Sequence, residues 1–113
     1  MNTIFHKIIN KEIPSNIEYE DDKYIVIHDI CPQAPIHLLI IPKSYIRTIN
    51  DIEENQLYIM SDMLQIVKVL AVKLQVDQSG YRLIMNCNAD GGQTIYYLHM
   101  HFLAGKQLKP HFG

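Results

Sequence analysis

Ile95-Tyr96-Tyr97-Leu98-His99-Met100-His101-Phe102 alternates two kinds of side chain, residue by residue. In a β-strand, neighbours point to opposite faces, so Tyr97, His99 and His101 share one face and Tyr96, Leu98, Met100 and Phe102 the other. The second set is what a hydrophobic core takes. The first sets two imidazoles about 7 Å apart on one surface, close enough to meet a single ligand. A solvated face of a half-buried strand explains the same pattern equally well, and a metal site is a third explanation. Zinc usually needs more than two protein ligands. His6, His28, His37 and His111 are scattered along the chain and no cysteine pair joins them, so no dedicated metal site is expected.

Immediately upstream lies Asp90-Gly91-Gly92-Gln93-Thr94. A Gly-Gly turn usually just reverses the chain, but glycines also let successive N–H groups converge into a nest for anionic oxygens. Gln93 and Thr94 add side-chain donors, and Asn86 ends the preceding strand candidate, where it is either a donor across the turn or an ordinary strand-end amide. Further upstream, Ile36-His37-Leu38-Leu39-Ile40-Ile41 reads as a strand buried on both faces. His37 within it is either a hydrogen-bonded core histidine or part of the same site. Asp29, in the Pro-rich loop before it, either caps that loop or accepts two hydroxyl hydrogen bonds. These residues describe an anion-binding pocket with histidines whose histidine-bearing face opens to solvent.

The other elements frame this region. Phe5, Ile8 and Ile9 have helical spacing, closed by Pro14. Ile17–Glu20 and Lys23–His28 are strand candidates around the acidic turn Asp21-Asp22. Asp51 with Glu54 resembles a capping box opening a long helix over about residues 51–75, with Leu57, Met60, Leu64, Val67, Ala71 and Leu74 as its apolar stripe. Tyr81–Asn86 and Ile95–Leu103 are the last strands. Three early strands, a helix and two late strands predict an antiparallel α+β sheet.

The 113 residues fit one domain, 1–113, with 48% apolar and 19% charged residues. A net charge of −2 gives no chain-wide grip on nucleic acid, and no window is long enough to span a membrane. Cys31 and Cys87 fit no zinc or redox spacing and read as reduced thiols; with no apolar leader at the start, a cytoplasmic location is expected. So small a core favours oligomerisation as a stabiliser.

Taken together, Asp29-Ile-Cys-Pro-Gln-Ala-Pro-Ile-His37 and Gly91-Gly-Gln-Thr-Ile-Tyr-Tyr-Leu-His99-Met-His101 strongly resemble the histidine-triad (HIT) family. Thr3–Pro14 and Gly80–Asn86 resemble its Hint-type branch of purine nucleoside phosphoramidases, so the likeness runs along nearly the whole chain. The resemblance implies a five-stranded antiparallel sheet with two helices, a homodimer and no cofactor. It implies that His99 is the nucleophile and that His101 hydrogen-bonds phosphate oxygens. His37 would support the nucleophile, and Thr94 would stand near the leaving group. Asn86, Gly92 and Gln93 would lie beside the phosphate, Asp29 at the ribose, and Phe5, Ile8, His28 and Ile30 around the base.

The implied reaction cleaves purine nucleoside 5′-phosphoramidates through a covalent nucleotidyl-histidine and releases AMP or GMP. Two other functions fit a HIT chain: dinucleoside polyphosphate hydrolysis, and nucleotide binding without turnover. The first disfavours itself through the Hint-like opening and turn. The second draws on Tyr97, which stands where the family has its first triad histidine and cannot act as a base near neutral pH. Thr3, His6, Tyr45 and Tyr97 occupy positions through which some relatives bind a structural zinc, so no such zinc is expected. The tail Lys106–Gly113 lacks a tryptophan that some relatives carry there, which bears on leaving-group choice.

Overall fold

A computed structural model describes residues 2–112. Helix α1 (Ile4–Ile9) starts at Thr3, whose side chain accepts the His6 amide while the His6 ring accepts the Thr3 amide. This reciprocal cap fixes a helix too short to be stable alone. Phe5 and Ile8 are its buried residues.

Strands β1 (Ile17–Glu20), β2 (Tyr24–His28), β3 (Ile36–Pro42), β4 (Tyr81–Ile84) and β5 (Met100–Ala104) form one antiparallel sheet in the order β1-β2-β3-β5-β4. The acidic turn predicted between β1 and β2 is closed by Asp21, whose Oδ1 accepts the amides of Lys23 and Tyr24, each at 2.8 Å. The central strand β3 is buried on both faces, as its continuous apolar run implies. Leu38 and Ile40 pack beneath the long helix α2 (Tyr58–Lys73), with Met63, Val67 and Leu70. Leu39 and Ile41 face the opposite side, where Phe5, Ile8, Ile25, Ile27 and Tyr97 make a second apolar cluster under α1. The five-stranded α+β architecture with two α-helices is therefore present as expected.

Four local expectations are corrected. Helix α2 begins at Tyr58, not near Asp51. Asp51 instead accepts the Thr48 amide and hydroxyl, at 3.1 and 2.8 Å, and closes a 3-10 turn at Ile49–Asp51; a second such turn follows at Glu54–Gln56. The capping chemistry is real, but it belongs to these turns. The buried stripe of α2 is Ile59, Met63, Val67, Leu70 and Ala71, whereas Leu57 and Leu64 of the predicted stripe are exposed.

The last strand begins at Met100, five residues later than predicted at Ile95. The β3–β5 ladder ends at Ile40 paired with Met100, because Pro42 has no amide hydrogen to extend it and the chain beyond turns away. Side chains still alternate through the bend: Leu98, Met100 and Phe102 enter the α2 core, and Tyr97 enters the α1 cluster. Tyr96 leaves the predicted core face and lies against the Arg47 guanidinium, 4.3 Å from the ring centre.

Candidate active site

Strand register brings the histidines together. Leu39 pairs with His101 and His37 with Leu103, so His37 and His101 are diagonal neighbours on the α1 face. Their ring centres are 5.2 Å apart, and His99 lies 5.1 Å from His101. Phe5 presents its ring edge-to-face to His99 at 5.0 Å. His37 is only 5% exposed, whereas His99 and His101 are half-buried and reach the surface.

Hydrogen bonds then assign each ring its proton. The Gln33 amide lies 3.0 Å from Nδ1 of His37, and an amide can only donate. His37 must therefore carry its proton on Nε2, which lies 2.9 Å from Nδ1 of His101. His101 accepts there and keeps its own proton on Nε2. His99 is set the other way round. Its Nδ1 lies 2.6 Å from the carbonyl oxygen of Tyr97, an acceptor only, so the proton is on Nδ1 and the lone pair on Nε2 is free. The trio thus offers one nucleophilic nitrogen and one N–H donor on adjacent rings.

Burial holds the trio neutral. It depresses His37 and His99 below the ordinary histidine value, opposed at His37 by the nearby Asp29 carboxylate and at His99 chiefly by the Tyr97 carbonyl bond. His101 is pushed down to about 4 by burial first and then by mutual repulsion with His99 and His37. A neutral imidazole is the nucleophilic form, and the site provides it at neutral pH.

Asp29 accepts the Cys31 amide at 2.8 Å with one oxygen, while its other oxygen is 3.4 Å from Nε2 of His37. Asp29, His37 and His101 place three potential metal-ligand atoms within 4.8 Å of one another. The Gln33 amide keeps the His37 proton on Nε2, the atom that a metal would need bare, so the geometry fits proton placement better than metal binding.

The remaining predicted residues divide. Ile8 is buried in the α1 cluster beside Phe5. His28 shares the row of Leu38 on the α2 side, and its Nε2 meets Glu18 Oε1 at 2.9 Å, so its imidazole is not among the other three. Ile30 is 86% exposed on the loop after β2. Thr94 is exposed, and Asn86 donates to the Gly91 carbonyl at 2.7 Å, with a second amide hydrogen remaining. Gly91 is obligatory, since a Cβ there would lie 2.5 Å from the Cys87 carbonyl oxygen.

Gln93 requires a correction. It is buried, its Nε2 donates to the carbonyls of Arg47 and Ile95, both at 3.1 Å, and its Oε1 accepts the Asn88 amide at 2.9 Å. Both amide hydrogens are engaged, so its side chain ties loops together instead of offering donors to a phosphate. The expected backbone nest is corrected in the same way: the Gly92 and Gln93 amides donate inward to Ala89 and Asn88, each at 3.0 Å. A loop outside the sheet must satisfy its own amides. Conversely, the Gln33 amide and the Tyr97 carbonyl, which fix the tautomers, are main-chain groups that no residue type announces.

Comparison with known proteins bears on the family and the fold. A family model for the HIT domain matches residues 10–108. An uncharacterised HIT-like protein of Buchnera aphidicola is 50% identical over 108 residues, covering 96% of this chain and 95% of the relative. The purine nucleoside phosphoramidase of Escherichia coli K12 is 46% identical over 108 residues, covering 96% and 91%. A histidine triad protein from Clostridium difficile superposes with a TM-score of 0.95 at 41% identity, covering 99% of this chain and 97% of that one. Matched in sequence and in fold along almost its full length, the chain belongs to the histidine-triad family.

Proposed function

We propose that the protein cleaves the phosphorus–nitrogen bond of purine nucleoside 5′-phosphoramidates and releases AMP or GMP. The observation that carries this reading is the tautomer of His99: with Nδ1–H donated to the Tyr97 carbonyl, a neutral Nε2 lone pair is left at the surface. The 46% identity to a purine nucleoside phosphoramidase supports the substrate class.

In the first step Nε2 of His99 bonds to the α-phosphorus. The departing nitrogen takes the electron pair of the broken bond and a proton from solvent, leaving as an amine. In the second step water attacks the nucleotidyl-histidine, the monophosphate is released and the imidazole is regenerated. The Nε2–H of His101, the second amide hydrogen of Asn86 and the Thr94 hydroxyl are the donors for the phosphoryl oxygens, where charge grows in the transition state. Asp29 takes the ribose, and Phe5 and Ile8 back the base. Ile30 borders that pocket from the exposed loop after β2, whereas His28, turned to the α2 side and held by Glu18, is left out of it.

The working unit is proposed to be a cytoplasmic homodimer. Strand β4 is a sheet edge, and Leu57, just before α2, and Leu64 and Val72 within it are exposed at 55%, 46% and 63%, apolar surface that a second copy would cover. Among the described residues no helix is long and apolar enough to cross a membrane.

The test is steady-state amine release from adenosine 5′-phosphoramidate by wild type and His99→Ala. The variant should lose several orders of magnitude, beyond the roughly 10²–10⁴ typical of acid–base assistance. Equal rates would refute the nucleophile. A wild type that binds AMP and releases no amine would favour nucleotide binding without turnover.

A further inference from the structure

The bend that carries the nucleophile is not held by a β-ladder. Between Gln93 and His99 the chain is gripped from the segment that leaves β3, and largely by side chains. The Tyr45 hydroxyl donates to the Tyr96 carbonyl at 3.0 Å, and the Leu98 amide donates to the Ile46 carbonyl at 2.8 Å. The Tyr97 hydroxyl reaches the carbonyls of Pro42 and Lys43, at 2.7 and 3.1 Å. Tyr97 is 1% exposed, and burial pushes its phenol up to about 12, so it stays a donor at any working pH. The rings of His6, Tyr45 and Tyr97 pack on one another with centres 4.6 to 5.0 Å apart, and Tyr97 also supports Phe5, which touches His99.

We propose that Tyr97 is a positioning residue for the nucleophile: its phenol, anchored on the end of β3 and clamped by Tyr45, holds its own carbonyl oxygen against Nδ1–H of His99. The inference rests on the phosphoramidase reading only for what the reaction is. When Nε2 of His99 bonds to phosphorus, the ring becomes cationic, and the hydrogen bond to the Tyr97 carbonyl becomes charge-assisted and stronger. A contact that strengthens on the way to the transition state raises kcat and leaves substrate binding largely alone. Tyr97 thus serves the reaction through its anchor and main chain, without any proton transfer by its side chain. The hydroxyls lie across from the end of β3, where the ladder has stopped, and take over its task of fixing the register of the strand end.

Tyr97→Phe removes the anchor and keeps the ring; Tyr45→Phe removes the second tie from the neighbouring carbonyl. Each variant, confirmed folded by circular dichroism, is compared with wild type in amine release from adenosine 5′-phosphoramidate and in the imidazole ¹⁵N spectrum. Tyr97→Phe should lower kcat by about tenfold or more, since small misplacements of reacting groups cost up to about 10²-fold. KM should stay within about twofold, because the contact stabilises mainly the transition state. The His99 signal should move from a pure Nδ1–H tautomer toward a mixture, and Tyr45→Phe should shift it the same way by less.

A lower melting temperature with unchanged kcat and an unchanged His99 tautomer would overturn the proposal and reduce Tyr97 to packing. If wild type releases no amine, the phosphoramidase reading fails, and the tautomer shift alone decides whether Tyr97 positions His99.

Discussion

At the scale of single residues the site is a problem in placing protons. Burial keeps His37, His99 and His101 neutral, so with His99 as the proposed nucleophile lowering the pH should cost activity only once that ring takes a proton, and its depressed value delays that. The pH–kcat profile of amine release should therefore stay flat from pH 8 to below 6.5, the ordinary histidine value, and fall on the acid side only beneath it. A descending limb centred above 6.5 would contradict the neutral trio. Gln93 supplies a second test. Gln93→Ala leaves the carbonyls of Arg47 and Ile95 and the Asn88 amide without their partner, which should cost about 2–4 kcal/mol in urea unfolding. A loss near zero would show that Gln93 does not tie these loops together. The side chains of this site were legible in the sequence because chemistry needs particular residue types. The Gln33 amide and the Tyr97 carbonyl were not, because every residue carries those groups.

At the scale of elements, α2 shows what periodicity can and cannot say. Its apolar residues recur as a helix requires, yet there are two apolar stripes, one on Ile59, Met63, Val67 and Leu70 and one on Leu64 and Val72 that Leu57, at the cap, extends. Both obey the 3.6-residue period, so spacing cannot tell which one the core takes. Substitutions can. Met63→Ala, in the core, should cost about 2–5 kcal/mol of stability. Leu64→Glu should leave the fold within about 0.5 kcal/mol of wild type in the isolated protomer, as surface changes usually do. By analytical ultracentrifugation it should shift the proposed dimer toward monomer. Dimers of unchanged stability in Leu64→Glu would place the subunit contact elsewhere, with the β4 edge the next surface to probe.

At the scale of the whole molecule, the two faces of one sheet differ: α2 packs on the larger apolar cluster, and α1 with the smaller cluster borders the histidines of the candidate site. The division has a consequence in acid. A histidine held below its unfolded value near 6.5 binds fewer protons when folded, so its contribution is complete above that value and is lost as pH falls toward the folded one. For His101 that window runs from about 6.5 down to about 4. The urea midpoint should therefore be lower at pH 5 than at pH 7.5, and His101→Asn should flatten the difference; an equal midpoint at both would show that the histidines are not buried neutral.

The sequence by itself determined the family, the five strands and two helices, and the residues able to do chemistry, because composition, period and side-chain type are local properties of the chain. Only the tertiary structure decided where the last strand starts, which stripe of α2 is core, that Gln93 binds loops, and which nitrogen of each histidine holds its proton. Each of those depends on a hydrogen-bond or packing partner supplied by a distant segment, and no local pattern encodes which partner arrives.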